Sequence, residues 1–350
     1  MAVTIRDVAK AAGVSTAAVS KVLHGRGNSV RVSDVRAGQI REIAEQLNYR
    51  PNVLARNLRT QRTHTVGLIF ENFGSFAAGP LYYMHLLEGV GSVLFKNHYR
   101  LTILPELLHD DILGSLGDGQ LEGVVWCKLT RDAQTLQLIH DCPIPIVAMN
   151  APAPAEPTDA VFVACDNASG VRLAVEHLAK LGHRKIAFAH EIQELTSPDC
   201  LERRDAFHAS AKELMGQEPN PADVLAWDWH LPEFAGWWKS DPGYTAIICW
   251  SERTAGTLIN RATEAGLKLP EDLSIVGFDS TAYCETTTPR LTSVSQPISE
   301  MARYATNTLL NLIQGKRPEN FSLTFPCGLD VRDSTTSPPK TGPLGPVSSE

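Results

Sequence analysis

In the first fifty positions apolar residues recur at three- and four-residue spacing, which predicts short amphipathic helices. Val8 and Ala12 fall on one face of a first helix. Thr4 caps it, and Asp7 lies where an acid favours a helix N-terminus. Gly13 supplies the open backbone of a turn, Val14 plugs the angle, and Ser15 caps a second helix. Val19, Val22 and Leu23 point inward on that helix, which leaves Thr16, Ala17, Ser20 and Lys21 on the opposite face. A third helix starts after Ser33 and turns Ile40, Ile43, Ala44 and Leu47 inward. It ends at Tyr49-Arg50-Pro51-Asn52, because proline disfavours helix in the residue before it. Residues 53–60 predict one more helix, of about two turns, marginal alone in water.

Beyond residue 62 the pattern changes. Strand-like runs lie at 65–70, 100–105, 123–127, 144–150, 161–165, 185–190, 245–250, 273–279 and 292–296. Helical stretches lie near 80–97, 131–141, 167–182, 200–216, 252–266 and 298–315. Apolar strands alternating with amphipathic helices predict βαβ units and parallel sheets. Two stretches of about 100–130 residues predict two lobes. Ligands of such sheets bind beyond the carboxyl ends of the strands. The pocket candidates are therefore Glu71, Trp126, Asn150, His190, Trp250 and Asp279. Residues 333–350, rich in Pro, Ser and Gly and without a leucine heptad, predict a disordered tail.

Two helices joined by a tight turn, the second showing small polar and basic side chains, have the shape of a helix-turn-helix DNA reader. Short side chains let such a helix sink into the major groove, where Thr, Ser and Lys reach base edges or phosphates and Ala touches a thymine methyl. An ordinary amphipathic hairpin is the alternative. Charge separates the two. The chain carries −7 overall, but residues 1–62 hold 11 basic and 4 acidic residues. That is +7, against −14 for the remainder. A basic head on an acidic body is the footprint of phosphate contact confined to one end, and its binding should be salt-dependent.

Other classes find little support. No run of eighteen apolar residues and no signal-peptide core occur, so the expectation is a cytoplasmic protein without a membrane span. The seven cysteines show no CxxC pair and read as reduced thiols, with no disulfide framework or zinc site. No Gly-x-Ser-x-Gly, phosphate loop, His-Glu-x-x-His or strand-linked Gly-x-Gly-x-x-Gly is present, so neither an enzyme, a cofactor nor a metal is expected. A sugar-binding or transport protein would account for the body but not for the basic head.

The chain resembles the lactose/galactose/purine repressor family of bacterial transcription regulators over almost its whole length. The resemblance rests on residues 3–23, Tyr49-Arg50-Pro51-Asn52 through Leu58, 64–69, 166–170, 177–188 and 267–279. It implies an all-α helix-turn-helix head over 1–50 and a hinge helix and linker over 51–62. It implies next a two-lobed α/β body over 63–332, like a periplasmic sugar-binding protein with parallel sheets. The N-lobe then spans about 63–162 and 295–325, and the C-lobe about 163–292 and 326–332. The lobe crossings are expected near 162, 292 and 325, and the tail over 333–350.

The resemblance further implies a homodimer on a pseudo-palindromic operator of about 14–20 base pairs. Its expected role is to repress a carbohydrate-uptake or catabolic operon under a small effector, a sugar or glycoside, held between the lobes. DNA contacts are expected from Thr4, Ser15, Thr16, Ala17, Ser20, Lys21, Asn52, Ala55, Leu58 and Arg59, with Leu58 as the hinge leucine inserted at the operator centre. Effector contacts are expected from Glu71, Trp126, Asn150, Arg203, Trp229, Trp250, Asp279 and Gln296. Arg203 matches the arginine that grips paired oxygens, although the usual following Gly is Ala206 here. Trp250-Ser251 stands where the family commonly has Asn-Asp. That departure, with Glu71, counts against a simple hexose and leaves room for a glycoside stacked on Trp250 or Trp229. Core packing of Trp250 is the alternative. A rival within the family is a regulator whose signal is a protein partner or phosphate compound, with the pocket vestigial.

Overall fold

The computed structural model describes residues 3–24, 31–50, 62–70, 81–105, 112–127, 133–151, 153, 158, 160–192, 197–227, 233–240 and 243–339. The chain divides into two compact units, Met1–Thr63 and His64–Glu350.

The first unit holds α1 (Ile5–Ala12), α2 (Thr16–His24) and α3 (Asp34–Gln46). Thr4 and Asp7 close the start of α1: the Asp7 carboxylate accepts the Thr4 backbone N–H at 2.9 Å and the Thr4 hydroxyl at 2.7 Å. Gly13 ends α1 with φ 60°, the left-handed region that costs glycine nothing. Ser15 Oγ accepts the Ala18 N–H at 3.2 Å, and Ser33 Oγ accepts the Arg36 N–H at 3.4 Å. Val8, Ala9, Ala12, Val19, Ile40 and Ala44 form a buried core. Ala9 apart, these are residues the spacing selected, and the selected Val22, Leu23, Ile43 and Leu47 pack against them half-buried.

The second unit begins with β1 (Thr65–Phe70), α4 (Leu81–Lys96), β2 (Arg100–Pro105), α5 (Ile112–Gly117), β3 (Gly123–Cys127), α6 (Ala133–Asp141), β4 (Ile146–Met149) and β5 (Val161–Cys165). It continues with α7 (Asn167–Leu181), β6 (Ile186–Glu191), α8 (Pro198–Met215), β7 (Val224–Trp227), α9 (Glu233–Lys239), β8 (Ala246–Cys249), α10 (Glu252–Glu264) and β9 (Ser274–Asp279). It closes with β10 (Thr292–Ser295), α11 (Ile298–Ile313), β11 (Ser322–Phe325) and β12 (Gly328–Asp330). Two described six-stranded sheets result, ordered β11-β5-β4-β3-β1-β2 and β12-β10-β9-β8-β6-β7. Every described pairing is parallel except β10 with β12. Central strands such as β3, β5 and β8 are buried at every position, as parallel strands covered on both faces must be. On the first sheet α4 and α11 pack so closely that a Cβ on Gly89 would stand 2.5 Å from Ala302 Cβ. Only glycine permits that approach.

Two boundaries differ from expectation. The crossings expected near 162 and 292 fall inside β5 and β10, each of which stays with its own sheet to its last residue. The chain instead changes lobe after Cys165 and after Ser295, then again between β11 and β12. A parallel strand must complete its ladder before it leaves. The expected disordered tail is also corrected over 333–339. Ser334 is buried, accepts the Thr292 N–H at 2.8 Å and donates to the Ile275 carbonyl at 2.6 Å. His183 Nε2 lies 2.8 Å from the Thr336 carbonyl. Composition pointed to disorder, but these bonds add a strap to the second lobe. Residues 340–350 lie outside the described residues. Strands β7, β11 and β12 were not expected from the sequence.

Candidate nucleic-acid and effector sites

On α2 the open side is formed by Thr16 and Ala17, both exposed, with Lys21 half-buried. Ser15 and Thr4 are exposed but already committed to helix ends. The Thr4 contacts hold the Asp7 carboxyl below its usual range, chiefly through the backbone N–H. Ser20 departs from the expected outward face. Ala18, Val19 and Ser20 are three covered residues in succession, and Ser20 is only 9% exposed. A short side chain on the covered side of a helix cannot reach outward. Asn52, Ala55, Leu58 and Arg59 lie outside the described residues.

In the body the strand-end rule selects a polar group assembled from both lobes. From the second lobe, Arg203 on α8 is buried at 1% exposure. Its Nε donates to Asn167 Oδ1 at 2.7 Å, and a terminal nitrogen donates to the Trp250 carbonyl. Its guanidinium lies over the Phe278 ring at 3.5 Å and over the Trp250 ring at 5.6 Å. Asp199 stands 3.8 Å away and Asp279 4.0 Å away. Burial alone would make the guanidinium easier to deprotonate; the two carboxylates reverse this and raise its pKa. Asn167 Nδ2 in turn donates to Glu202 Oε2 at 2.9 Å. Gln296 Nε2 donates to Asp279 Oδ1 at 2.6 Å.

From the first lobe come Asn150 and Tyr82. Asn150 Nδ2 donates to the Tyr82 hydroxyl. Burial, then Cys127, Asp279 and Asp199, push the Tyr82 phenol well above its ordinary range. Asp279 and Asp199 therefore act on Tyr82 across the lobe boundary. Asn150 and Asp279 follow or end β4 and β9 with φ 55° and 102°, and Ser280 follows with 53°. Left-handed backbone in non-glycine residues concentrates at working sites. A cavity of about 300 Å³ opens beside Asp279 and Gln296, bounded by His85, Thr281, Ser299 and Arg303 among others. Among the described residues, Asn150 Oδ1 and Gln296 Oε1 are buried acceptors without a hydrogen-bond partner. Each amide spends its nitrogen on the protein and keeps its oxygen free.

The expected effector residues thus separate. Arg203, Asn150, Asp279 and Gln296 come together. Trp250 packs in the core under Arg203, the alternative noted above, and supplies its carbonyl. Trp126 lies in the first lobe's other apolar layer with Ile69, Ala148 and Phe162, and its Nε1 has no partner among the described residues. The buried His190 bonds the Glu191 carbonyl through Nδ1 at 2.9 Å. Glu71 and Trp229 lie outside the described residues. Tyr82, Asn167 and Asp199 were missed. Tyr82 and Asp199 sit near helix starts, and Asn167 follows β5. Only the strand-end rule extended to the following helix could have found Asn167. Among the described residues no group of three or more His, Cys, Asp or Glu side chains could hold a metal, and no helix is long and apolar enough to cross a membrane.

Comparison with known proteins matches the two units separately. Residues 4–52 match the model for bacterial regulatory proteins of the lacI family, and residues 175–335 match the model for a periplasmic binding protein-like domain. The head is of the lacI type and the body is periplasmic binding protein-like. It is 28% identical over 339 residues to the HTH-type transcriptional regulator CelR of Thermobifida fusca, covering 95% of this chain and 98% of that one. A solved structure of a CelR–cellobiose complex superposes with TM-score 0.69 at 26% identity, covering 95% of this chain and all of that one. The Lac repressor dimer bound to operator and the anti-inducer ONPF superposes with TM-score 0.82 at 22% identity, covering 96% of this chain and all of that one. The helix-turn-helix match ends at Asn52, and the second match ends at Thr335, inside the strap that was expected to be disordered.

Proposed function

We propose that this chain is a ligand-responsive transcription repressor that binds a pseudo-palindromic operator as a homodimer in the cytoplasm and controls a carbohydrate-uptake or catabolic operon. A sugar or glycoside in the cleft between the lobes alters its operator affinity. The observation that carries the effector half is a pair of buried acceptors, Asn150 Oδ1 and Gln296 Oε1, unpartnered among the described residues. Gln296 bonds Asp279, which with Asp199 stands beside the fixed Arg203 guanidinium, and Asn150 reaches this group through Tyr82. Buried polar atoms without partners are costly. A ligand rich in hydroxyl donors satisfies both acceptors, and its oxygens accept from Arg203. The operator half rests on the exposed Thr16–Ala17 face of α2 and the positive charge of residues 1–62. Asn52, Ala55, Leu58 and Arg59 extend that contact into the hinge by resemblance, with Leu58 as the wedge.

The test has two arms. Thermal-shift screening of the purified chain against a carbohydrate library should find a ligand that raises the melting temperature; a ligand at a hundred times its Kd stabilises by about 2.7 kcal/mol. Fluorescence anisotropy on duplexes selected from a random library by the chain itself should then show an affinity that moves when that sugar is added. If the sugar binds Arg203→Ala or Asp279→Asn as tightly as wild type, the pocket assignment fails.

A further inference from the structure

The polar group around Arg203 and Asp279 is bonded at each of the three places where the chain changes lobe. Asn167, which follows the first crossing at the start of α7, accepts Arg203 Nε at 2.7 Å. Gln296, on the second crossing, donates to Asp279 Oδ1 at 2.6 Å. Asp330, on β12 just past the third, accepts the Ser280 hydroxyl at 2.7 Å. The crossings themselves lie side by side. The Asp166 N–H donates to the Phe325 carbonyl at 2.8 Å, Ser295 pairs with Gly328, and a Cβ on Gly170 would stand 3.1 Å from Cys327 Cβ. Packing this close passes a shift of one crossing to the others.

Asp279 and Ser280 stand at the centre of this arrangement. Both hold left-handed backbone, φ 102° and 53°, which non-glycine residues keep only where their surroundings enforce it. The next residue is anchored: the buried Glu252 carboxylate accepts the Thr281 N–H at 2.8 Å and the Thr281 hydroxyl at 2.5 Å. Ser280 Oγ also accepts from Arg332 Nη1 at 3.1 Å. Arg332 in turn donates to the Leu291 carbonyl at 2.9 Å and, through Nε, to Glu285 at 2.5 Å. Asp279, Ser280 and Thr281 line the cavity of about 300 Å³; Asp330 and Arg332 are not among its lining residues. A turn held at Thr281 and pulled at Asp279 passes its movement to Ser280, and from there to β12.

We propose that the Asp279–Ser280 turn reports effector occupancy to the third lobe crossing through the Ser280–Asp330 hydrogen bond. Asp330 is then a coupling residue that sets the effector response from outside the cavity. A ligand that bonds Asp279 competes with Gln296 and Arg203 for the carboxylate, turns the strained pair and shifts β12. Lobe movement has to bend the crossings, and an effector acts only through contacts that differ between two states. The bond from Ser280 to Asp330 is such a contact. The effector response rests on the function proposed above; the mechanical link from Asp279 to β12 does not.

Amide hydrogen exchange on the full-length chain tests the link without any ligand. Asp279→Asn should speed exchange across 328–332 several-fold. In an Asp330→Ala chain, where those amides already exchange faster, adding Asp279→Asn should change nothing further. Additive effects overturn the link. The second measurement uses cellobiose as the probe and a duplex selected by the wild-type chain. Coupled sites shift one another's affinity by about 5–150-fold. Asp330→Ala should bind cellobiose and the duplex within about twofold of wild type, while the shift caused by cellobiose falls to about twofold or less. Asp330→Asn keeps an acceptor for the Ser280 hydroxyl and should retain the shift. A full shift in Asp330→Ala, or none in Asp330→Asn, overturns the hydrogen bond as the carrier. Cellobiose that leaves wild-type affinity unmoved counts against the function above, and the exchange measurement still decides the link.

Discussion

The two candidate sites are built on opposite plans. In the head, each helix start is fixed by a partner three residues away: Thr4 with Asp7, Ser15 with Ala18, Ser33 with Arg36. The side chains left for DNA, Thr16 and Ala17, are exposed. In the body, the bonds run between distant residues. Arg203 meets Asn167 36 positions away and Trp250 47 away, and Asn150 meets Tyr82 68 away. A convex reader can be made from local bonds and left bare for its partner. A concave reader must gather remote segments, and most of its polar groups are tied before any ligand arrives.

The largest effect should come from cutting the centre of the body site. Arg203→Ala leaves Asp199 and Asp279 buried without their shared cation, and breaking a buried pair from one side costs about 3–5 kcal/mol. Urea denaturation of the intact chain measures it. A loss below about 1 kcal/mol, the scale of exposed ion pairs, would erase the contrast between tied and bare sites. Next is Ser334→Ala, which orphans the buried Thr292 N–H and Ile275 carbonyl. It should cost about 1–3 kcal/mol. A stability equal to wild type would return residues 333–339 to the role of a loose tail.

The same contrast sets what was legible in the sequence. The head and the central strands follow from spacing, because their bonds and apolar faces are local. Arg203, Asp279, Asn150 and Gln296 were reachable through strand ends and resemblance. Tyr82 and Asp199 were not, since what marks them is a neighbour in the other lobe or on another turn, which periodicity does not encode. Strands β11 and β12 were hidden for a related reason. β11 alternates exposed and half-buried positions at a sheet edge, and β12 has only three residues. The strap over 333–339 reads as loop by composition and is held by bonds of Ser334, Thr335 and Thr336 to Thr292, Ile275, His177 and His183.

On the head, Thr16→Ala should weaken operator binding by about 1–3 kcal/mol if the hydroxyl reads a base. Lys21→Ala should weaken all sequences alike and lower the salt slope by about 1 if the lysine meets a phosphate. Anisotropy titrations at several salt concentrations separate the two. Neither change should move the denaturation midpoint of the body. A body destabilised by Thr16→Ala would show that the bare face is not bare.

The smallest effect is a pH dependence confined to the strap. His183 sits between Thr245 Oγ1 at 2.8 Å and the Thr336 carbonyl at 2.8 Å, and burial lowers its pKa from the ordinary 6.5. His177, 2.9 Å from Thr335 Oγ1, is lowered as well, by burial and then by Lys180. Both rings take up a proton less readily in the fold than in water. Below about pH 6.5 the unfolded chain binds protons that the folded chain still refuses, so stability falls as pH drops through that value and is complete above it. The lowered carboxyls of Glu213, Glu285 and Asp333 act only further down, below their ordinary 3.8–4.5 range. Melting temperatures at pH 7.5 and 5.5 should therefore fall more for wild type than for His183→Asn, which cannot titrate. Equal falls would mean that the strap does not keep its histidine dry, and that the body's ties at this edge are as open to solvent as the caps of the head.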